Sequence, residues 1–389
     1  MTMKQALDSV LQRAVGPNGV PGVVAMVTDR NGTLYEGAFG ERAVGSGAAM
    51  NTDTVGLIAS MTKALTSTAA MQLVEQGKLD LHSPASKWLP ELADARVLDG
   101  FDADGQPQLR APRQPVTLHH LLTHTAGYSY EFLSEEVQRF QTATGAPGFI
   151  SCALDSIRLP LLFDPGEQWS YGVSTDWVGR LVEAASGQKL GEYLSANVLG
   201  PLGMSDTAFK LRDDMRARLA TIHARLPEGG LAPMDLEVPQ EPEFEMGGGG
   251  LYGTVGDYLK FVRMLLNGGS LDGRQILRPE TVEQMASNQI GDMDVPSIKS
   301  ANPMFTNDMP LPPEIPHKWG LGFLINTRPL PTGRSAGSLM WAGLANSYYW
   351  IDPSQGIGGV LLTQILPFAD VKALPLFLEF EATTYQQTR

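Results

Sequence analysis

Ser60-Met61-Thr62-Lys63 sets a hydroxyl and an amine three residues apart. On a helix surface residues i and i+3 are neighbours, about 5–6 Å between Cβ atoms, so Lys63 reaches the hydroxyl of Ser60. A serine becomes a useful nucleophile when a base takes its proton. Lysine can be that base once its pKa, ordinarily about 10.4, is lowered by desolvation or by positive neighbours. A helix N-terminus supplies partial positive charge, and its free N–H groups suit a developing oxyanion. The chemistry on offer is nucleophilic attack by an activated serine. Spacing alone does not establish it, because roughly 0.6 S-x-x-K matches arise by chance in a chain of this composition. Two occur. In Ser186-Gly187-Gln188-Lys189 a helix-stopping glycine separates the pair. At 60–63 an apolar, strand-like run, TVGLIA, feeds directly into a helix beginning at the serine. On spacing alone an ordinary helix start, with serine as cap and lysine in solvent, is an equal alternative.

Other strings fail on context. Gly248-Gly249-Gly250-Leu251-Tyr252-Gly253 fits G-x-G-x-x-G, but the preceding PQEPEFEM is no strand, so a flexible turn before the next helix is the better reading. Gly333-Arg334-Ser335-Ala336-Gly337 fits a nucleophile elbow, yet no histidine follows Ser335 and SLMWAGL reads as a strand rather than a helix. His119, His120 and His124 lack the glutamate of a metalloprotease helix and read as packed or capping histidines. Cys152, the one cysteine, reads as a small buried apolar residue and excludes an intrachain disulfide and any multi-cysteine metal site.

The elements that position Ser60 and Lys63 come from both ends of the chain. MTMKQALDSVLQRAVG forms an amphipathic helix. VPGVVAMVTDRNGTLYEGAFGERAV forms a hairpin around Arg30-Asn31-Gly32. MTKALTSTAAMQLVEQGKL continues the serine's helix to a stop at Gly77. From about 78 to 245 helices alternate with Pro-rich connections, and ARVLDGFDADGQPQLRAPRQP carries the turn chemistry of an exposed loop. Near the C-terminus WGLGFLINT, SLMWAGL, NSYYWIDP and GIGGVLLTQI give about four antiparallel strands, followed by a helix over 370–386 that Pro375 is expected to bend. The expected fold is α/β of the α+β type. An antiparallel sheet domain (1–75 with 250–389) is flanked by the N- and C-terminal helices, a mostly helical domain (76–249) is inserted, and the active site lies between them.

Of 389 residues, 43% are hydrophobic and 18% charged, with 42 Gly and 27 Pro and no period, which excludes disorder, collagen and coiled coil as the main architecture. A net charge of −13 without a long basic run disfavours nucleic acid and anionic membranes as partners. No stretch approaches 18 apolar residues and no signal peptide is evident, so a soluble, cytoplasmic protein is expected.

Five blocks carry a resemblance: Ser60-Met61-Thr62-Lys63, LLTHTAGY (121–128), FDPGEQWSYGVSTDWVG (163–179), VLGPLGMSDTAF (198–209) and GGGGLYGTVGDYLKFVRMLLNGG (247–269). Together, and in order, they resemble the serine β-lactamase/penicillin-binding superfamily. Within it the chain looks most like the family VIII carboxylesterases, whose fold is similar to class C β-lactamases and DD-peptidases. The resemblance implies Ser60 as nucleophile, Lys63 and Tyr171 as general base and acid, and backbone N–H groups of Ser60 and Leu344 as the oxyanion hole. It places the third motif on Trp341-Ala342-Gly343. Tyr128, Tyr130, Val173, Gly343 and the aromatics around Trp341 are expected to wall the substrate pocket.

Two departures bear on substrate. Val173 stands where β-lactamases carry the Asn of Tyr-x-Asn, and Trp341 stands where they carry the lysine that sits near the drug's carboxylate. Both favour neutral esters, leaving at most weak activity on cephalosporins. The leading expectation is a serine carboxylesterase hydrolysing short-chain acyl esters, a small-molecule substrate, with no metal or organic cofactor. An acyltransferase of the same fold is the nearest alternative, because water and an alcohol compete for one acyl-enzyme. A β-lactamase, a D-amino-acid peptidase and a non-catalytic binding protein follow.

Overall fold

The computed structural model describes residues 2–388. Seven strands make one antiparallel sheet: β1 Gly22–Asp29, β2 Thr33–Gly40, β3 His317–Trp319, β4 Leu324–Asn326, β5 Leu339–Gly343, β6 Ser347–Asp352 and β7 Ile357–Leu362, in spatial order β3-β4-β5-β6-β7-β1-β2. The two chain ends join where β1 pairs with β7, Val24 opposite Leu362. Seven of the eight residues of β1 are buried, because helices cover both faces of the central strands. That double burial explains why GVVAMVTD is a continuous apolar run rather than an alternating one.

Five longer helices matter for the site: α1 Met3–Ala14, α2 Thr62–Glu75, α3 Ser174–Ser186, α4 Val255–Leu266 and α5 Ala373–Thr388. Helices α1 and α5 cover one face of the sheet, where Leu7, Leu11, Trp350, Phe377 and Phe380 share a core. Against the other face lie α4 and the buried α2, which packs on α3. Twelve of the fourteen α2 residues are buried, so Lys63 starts from an apolar setting.

Three local expectations need correction. WGLGFLINT is not one strand. It ends β3, turns through Gly320–Gly322 and begins β4, so five strands rather than four come late. Both glycines are forced: a Cβ on Gly320 would lie 2.1 Å from the Met285 oxygen, and Gly322 has φ +103. The stretch expected as an exposed loop at 95–115 contains a hairpin, Val97–Phe101 against Pro107–Arg110. Its turn is held by the Asp102 carboxylate, which accepts from the amides of Asp104 and Gln106. Pro375 sits in the first turn of α5, where a missing N–H costs no helical hydrogen bond, so it does not interrupt the helix.

Strand β4 pairs with β5 only through Leu324–Met340 and Ile325–Leu339. The outer edge of Trp341–Gly343 is therefore left unpaired by β4, and the site opens there.

Candidate active site

A short pairing of Gly56–Leu57 with Tyr252–Gly253 anchors the segment before the serine. Ala59 then takes φ +43, a left-handed conformation that a residue with a Cβ adopts at some cost. Ser60 lies on a tight 3₁₀ turn, Ala59–Met61, and the α-helix proper starts at Thr62. The α-helix expected to begin at the serine thus begins two residues after it, directly behind the 3₁₀ turn. Among the described residues, no protein acceptor engages the amide N–H of Ser60 or that of Leu344. The segments that carry them are pressed together: a Cβ on Gly343 would sit 2.3 Å from the Ile58 oxygen.

Lys63 is 1% exposed. Its Nζ lies 3.3 Å from Ser60 Oγ, 3.0 Å from the Tyr130 hydroxyl and 2.6 Å from the Gly248 carbonyl oxygen. Burial drives its pKa down, while the Asp176 carboxylate pulls the other way. A neutral amine has two N–H donors and one lone pair, which matches three partners: it donates to Gly248 and Tyr130 and presents its lone pair to Ser60. Asp176 is 2% exposed and accepts from the Gly248 amide at 2.8 Å, so one residue, Gly248, joins it to the lysine through its N–H and its C=O. Burial raises the Asp176 pKa. The Gly248 stretch is the turn expected before the next helix, and its backbone is engaged by Lys63 and Asp176. Neither Asp176 nor Gly248 stood out in the sequence, although both lie inside blocks that carry the resemblance.

Tyr171 faces the same point from before α3. Burial raises its phenol above the ordinary range, and hydrogen bonds from Ser60 and Trp341 act against that. Trp341 Nε1 donates to the Tyr171 oxygen at 3.0 Å, and Lys63 Nζ lies 4.6 Å from the Tyr171 ring centroid. Buried His124 packs on the Tyr171 ring (centroids 4.9 Å apart) and on Trp319. Burial drives the pKa of that imidazole down, and positive charge on Lys63, when present, acts in the same direction.

These groups border a cavity of about 320 Å³. Ser60, Tyr171, Trp341, Gly343 and Leu344 line it, with Phe132, Met309, Leu311, Met340 and Phe377 among its apolar walls. Three residues expected in its wall are elsewhere. Tyr128 is stacked on Trp177 and lines a separate cleft with Glu91 and Arg158. Val173 is fully buried at the start of α3. Tyr130 is buried against Phe132 and reaches Lys63, not the cavity.

The discarded strings remain apart from this centre. Ser186 ends α3, whereas Lys189 caps the next helix. Ser335 lies in the loop before β5, its amide bound to Asp352. Cys152 is fully buried. Among the described residues no cluster of His, Cys, Asp or Glu could hold a metal, and no helix is long and apolar enough to cross a membrane.

Comparison with known proteins extends over nearly the whole chain. A family model described as Beta-lactamase matches residues 7–382. The chain is 33% identical to monacolin J acid methylbutanoyltransferase of Aspergillus terreus, covering 98% of this chain and 95% of that protein. It is also 33% identical to the lovastatin esterase of Penicillium rubens, over 93% of each. Among solved structures, a LovD6 mutant of simvastatin synthase from Aspergillus terreus superposes with a TM-score of 0.86 at 33% identity, covering 98% of this chain and 94% of that one. The expected β-lactamase/DD-peptidase-like fold, helices around an antiparallel sheet, is the fold these proteins share.

Proposed function

The chain belongs to the beta-lactamase family, and we propose that within it this protein is a serine acyltransferase, moving an acyl group through Ser60 onto an alcohol. A methylbutanoyltransferase and an esterase each match it at 33% identity, and the transferase supports transfer over the short-chain esterase that the sequence resemblance puts first. The observation that carries the proposal is the wall of the cavity at Ser60, which is overwhelmingly apolar. An apolar chamber favours an organic acceptor over water at the acyl-enzyme, because water there has few polar partners.

In this reading Ser60 Oγ attacks the acyl carbonyl and its proton passes to the lone pair of Lys63. Amide N–H groups of Ser60 and Leu344 receive the oxyanion. With its pKa raised, Tyr171 stays protonated and hands its proton to the leaving group, being replenished from Lys63. The acceptor alcohol then enters and gives its proton to Tyr171 as Tyr171 passes its own to Lys63; the alcohol oxygen takes the acyl group, the ester bond to Ser60 breaks and Lys63 returns the proton to Ser60 Oγ. Atoms and protons balance over the cycle. No group outside the chain is needed.

The test is turnover of p-nitrophenyl butyrate with and without an added apolar alcohol, analysed for free acid and new ester. Transfer predicts faster p-nitrophenol release and ester as the main product, both lost in Ser60→Ala. Hydrolysis indifferent to alcohol would return the protein to the esterases.

A further inference from the structure

The cavity that begins at Ser60 is not apolar throughout. It continues past Met340, Ala342 and Tyr348 to Thr332 and Arg334 beneath α5. Arg334 is 1% exposed. Its Nη2 donates to Glu381 Oε2 at 2.7 Å and its Nε to the other oxygen of the same carboxylate. Its remaining nitrogen, Nη1, is buried with no partner, and so is the Thr332 hydroxyl. A buried donor left unpaired is costly, more so when charged, so these two groups invite a partner.

The two ends are well separated. Gly343 presses on the turn that carries Ser60, at the start of the β5–β6 pairing with Ser347. The amide of Ser335, next to Arg334, is bonded to Asp352 at the opposite end of β6. At about 3.4 Å per residue that separation is on the order of 15 Å. Charge also selects the occupant. Glu381 neutralises Arg334, and the Asp352 carboxylate lies nearby, bonded to Tyr385 on α5, so the local balance does not favour an anion.

We propose that Arg334 Nη1 and Thr332 Oγ1 form a distal subsite that binds a neutral oxygen (carbonyl, lactone or hydroxyl) at the far end of an otherwise apolar substrate. The substrate class is thus a long or bulky apolar molecule with oxygen at both ends, one reacting at Ser60 and one held at Arg334. This rests on the cavity being the substrate's, as proposed above. The apolar stretch supplies affinity and the two polar groups fix the depth of insertion.

Binding to Ser60→Ala, measured by calorimetry, separates this from catalysis. The probes are 1-decanol, 1,10-decanediol and 10-hydroxydecanoate. Without a partner the second hydroxyl of the diol makes it the weaker ligand. With the subsite the diol binds more tightly than decanol, and Thr332→Val or Arg334→Lys lowers the diol-to-decanol ratio by about fivefold each. General damage to the cavity moves both alcohols alike and leaves that ratio unchanged. Tighter binding of decanol than of the diol, or a ratio indifferent to both substitutions, overturns the subsite. Tightest binding of the carboxylate overturns its neutral character. Hydrolysis of p-nitrophenyl acetate by the unsubstituted enzyme, a substrate too short to reach Arg334, reports on Ser60 independently.

Discussion

Trp341 Nε1 donates a hydrogen bond to the phenolic oxygen of Tyr171 at 3.0 Å. At the position where the sequence resemblance would put the β-lactamase lysine, this chain carries an uncharged donor to the tyrosine. The indole does two things: its face lines the cavity and its N–H holds the phenol. Trp341→Phe keeps most of the ring and removes the donor. A buried hydrogen bond is worth about 1 kcal/mol net, more where charge develops, so kcat for a p-nitrophenyl ester should fall about tenfold. Steady-state kinetics of the variant check it; an unchanged kcat would mean that the hydrogen bond does not position Tyr171.

The same geometry explains why a cephalosporin should be a poor substrate. Lys63 is buried and driven toward its neutral form, and Trp341 carries no charge. No cation at that position then meets the drug's carboxylate. Ring opening of a chromogenic cephalosporin is expected at least about a hundredfold slower than p-nitrophenyl butyrate turnover, the scale of about 3 kcal/mol for a lost charged contact. Comparable rates would show that another group receives the carboxylate.

Lys63 sets the pH dependence. As the proposed base it works only deprotonated, and burial brings its pKa down to about 7. Activity should therefore rise with pH through neutrality and be lost below it. Asp176 opposes that shift, since its negative charge favours the ammonium. Asp176→Asn removes the charge and retains an oxygen for the Gly248 amide. The lysine pKa then falls further, and the acidic limb of the kcat/KM profile moves to lower pH. A limb that stays in place or moves to higher pH would exclude the coupling.

What could be read from the sequence, and what could not, follows from distance along the chain. Ser60 and Lys63 were legible because a helix turns their spacing into contact. Tyr171 and the third motif came from resemblance, not from pattern. Tyr130, Asp176 and Gly248 reach Lys63 from segments 67 to 185 residues away, and only the fold brings them together. Gly248 was obscured further because glycine suits both a loose turn and a close approach. Here it is a close approach: a Cβ would lie 2.7 Å from an Asp176 oxygen. The sheet built from both chain ends was legible from its β-branched and aromatic runs. The break within WGLGFLINT was not, since the Met285 carbonyl that forces Gly320 is remote in sequence.

Gly343 offers a test of the contact between β5 and the serine turn. A Cβ at this position would lie 2.3 Å from the Ile58 oxygen and 3.4 Å from the Ala59 Cβ, and backbone cannot swing aside as a side chain can. Gly343→Ala should push the strand from the turn, costing about 1–3 kcal/mol of stability. If Leu344 and Ser60 share the oxyanion, the displacement should also lower kcat by about a hundredfold. Thermal unfolding and kinetics on the same preparation separate the two effects. A destabilised variant with full kcat would remove Leu344 from the oxyanion hole.

Tyr130 distinguishes a pocket wall from a partner of the lysine. Its hydroxyl lies 3.0 Å from Lys63 Nζ, and its ring is stacked on Phe132 at 4.8 Å between centroids. It is buried and does not border the cavity at Ser60. Tyr130→Phe keeps the stacking and deletes the hydroxyl, so the amine loses one of the two acceptors that turn its lone pair toward Ser60. The expected result is a fall in kcat of about tenfold, the scale of one buried hydrogen bond, with KM for an apolar ester nearly constant. A side chain that touched substrate would raise KM instead. A KM effect without a kcat effect would therefore restore Tyr130 to the pocket wall and leave the orientation of Lys63 to Gly248 alone.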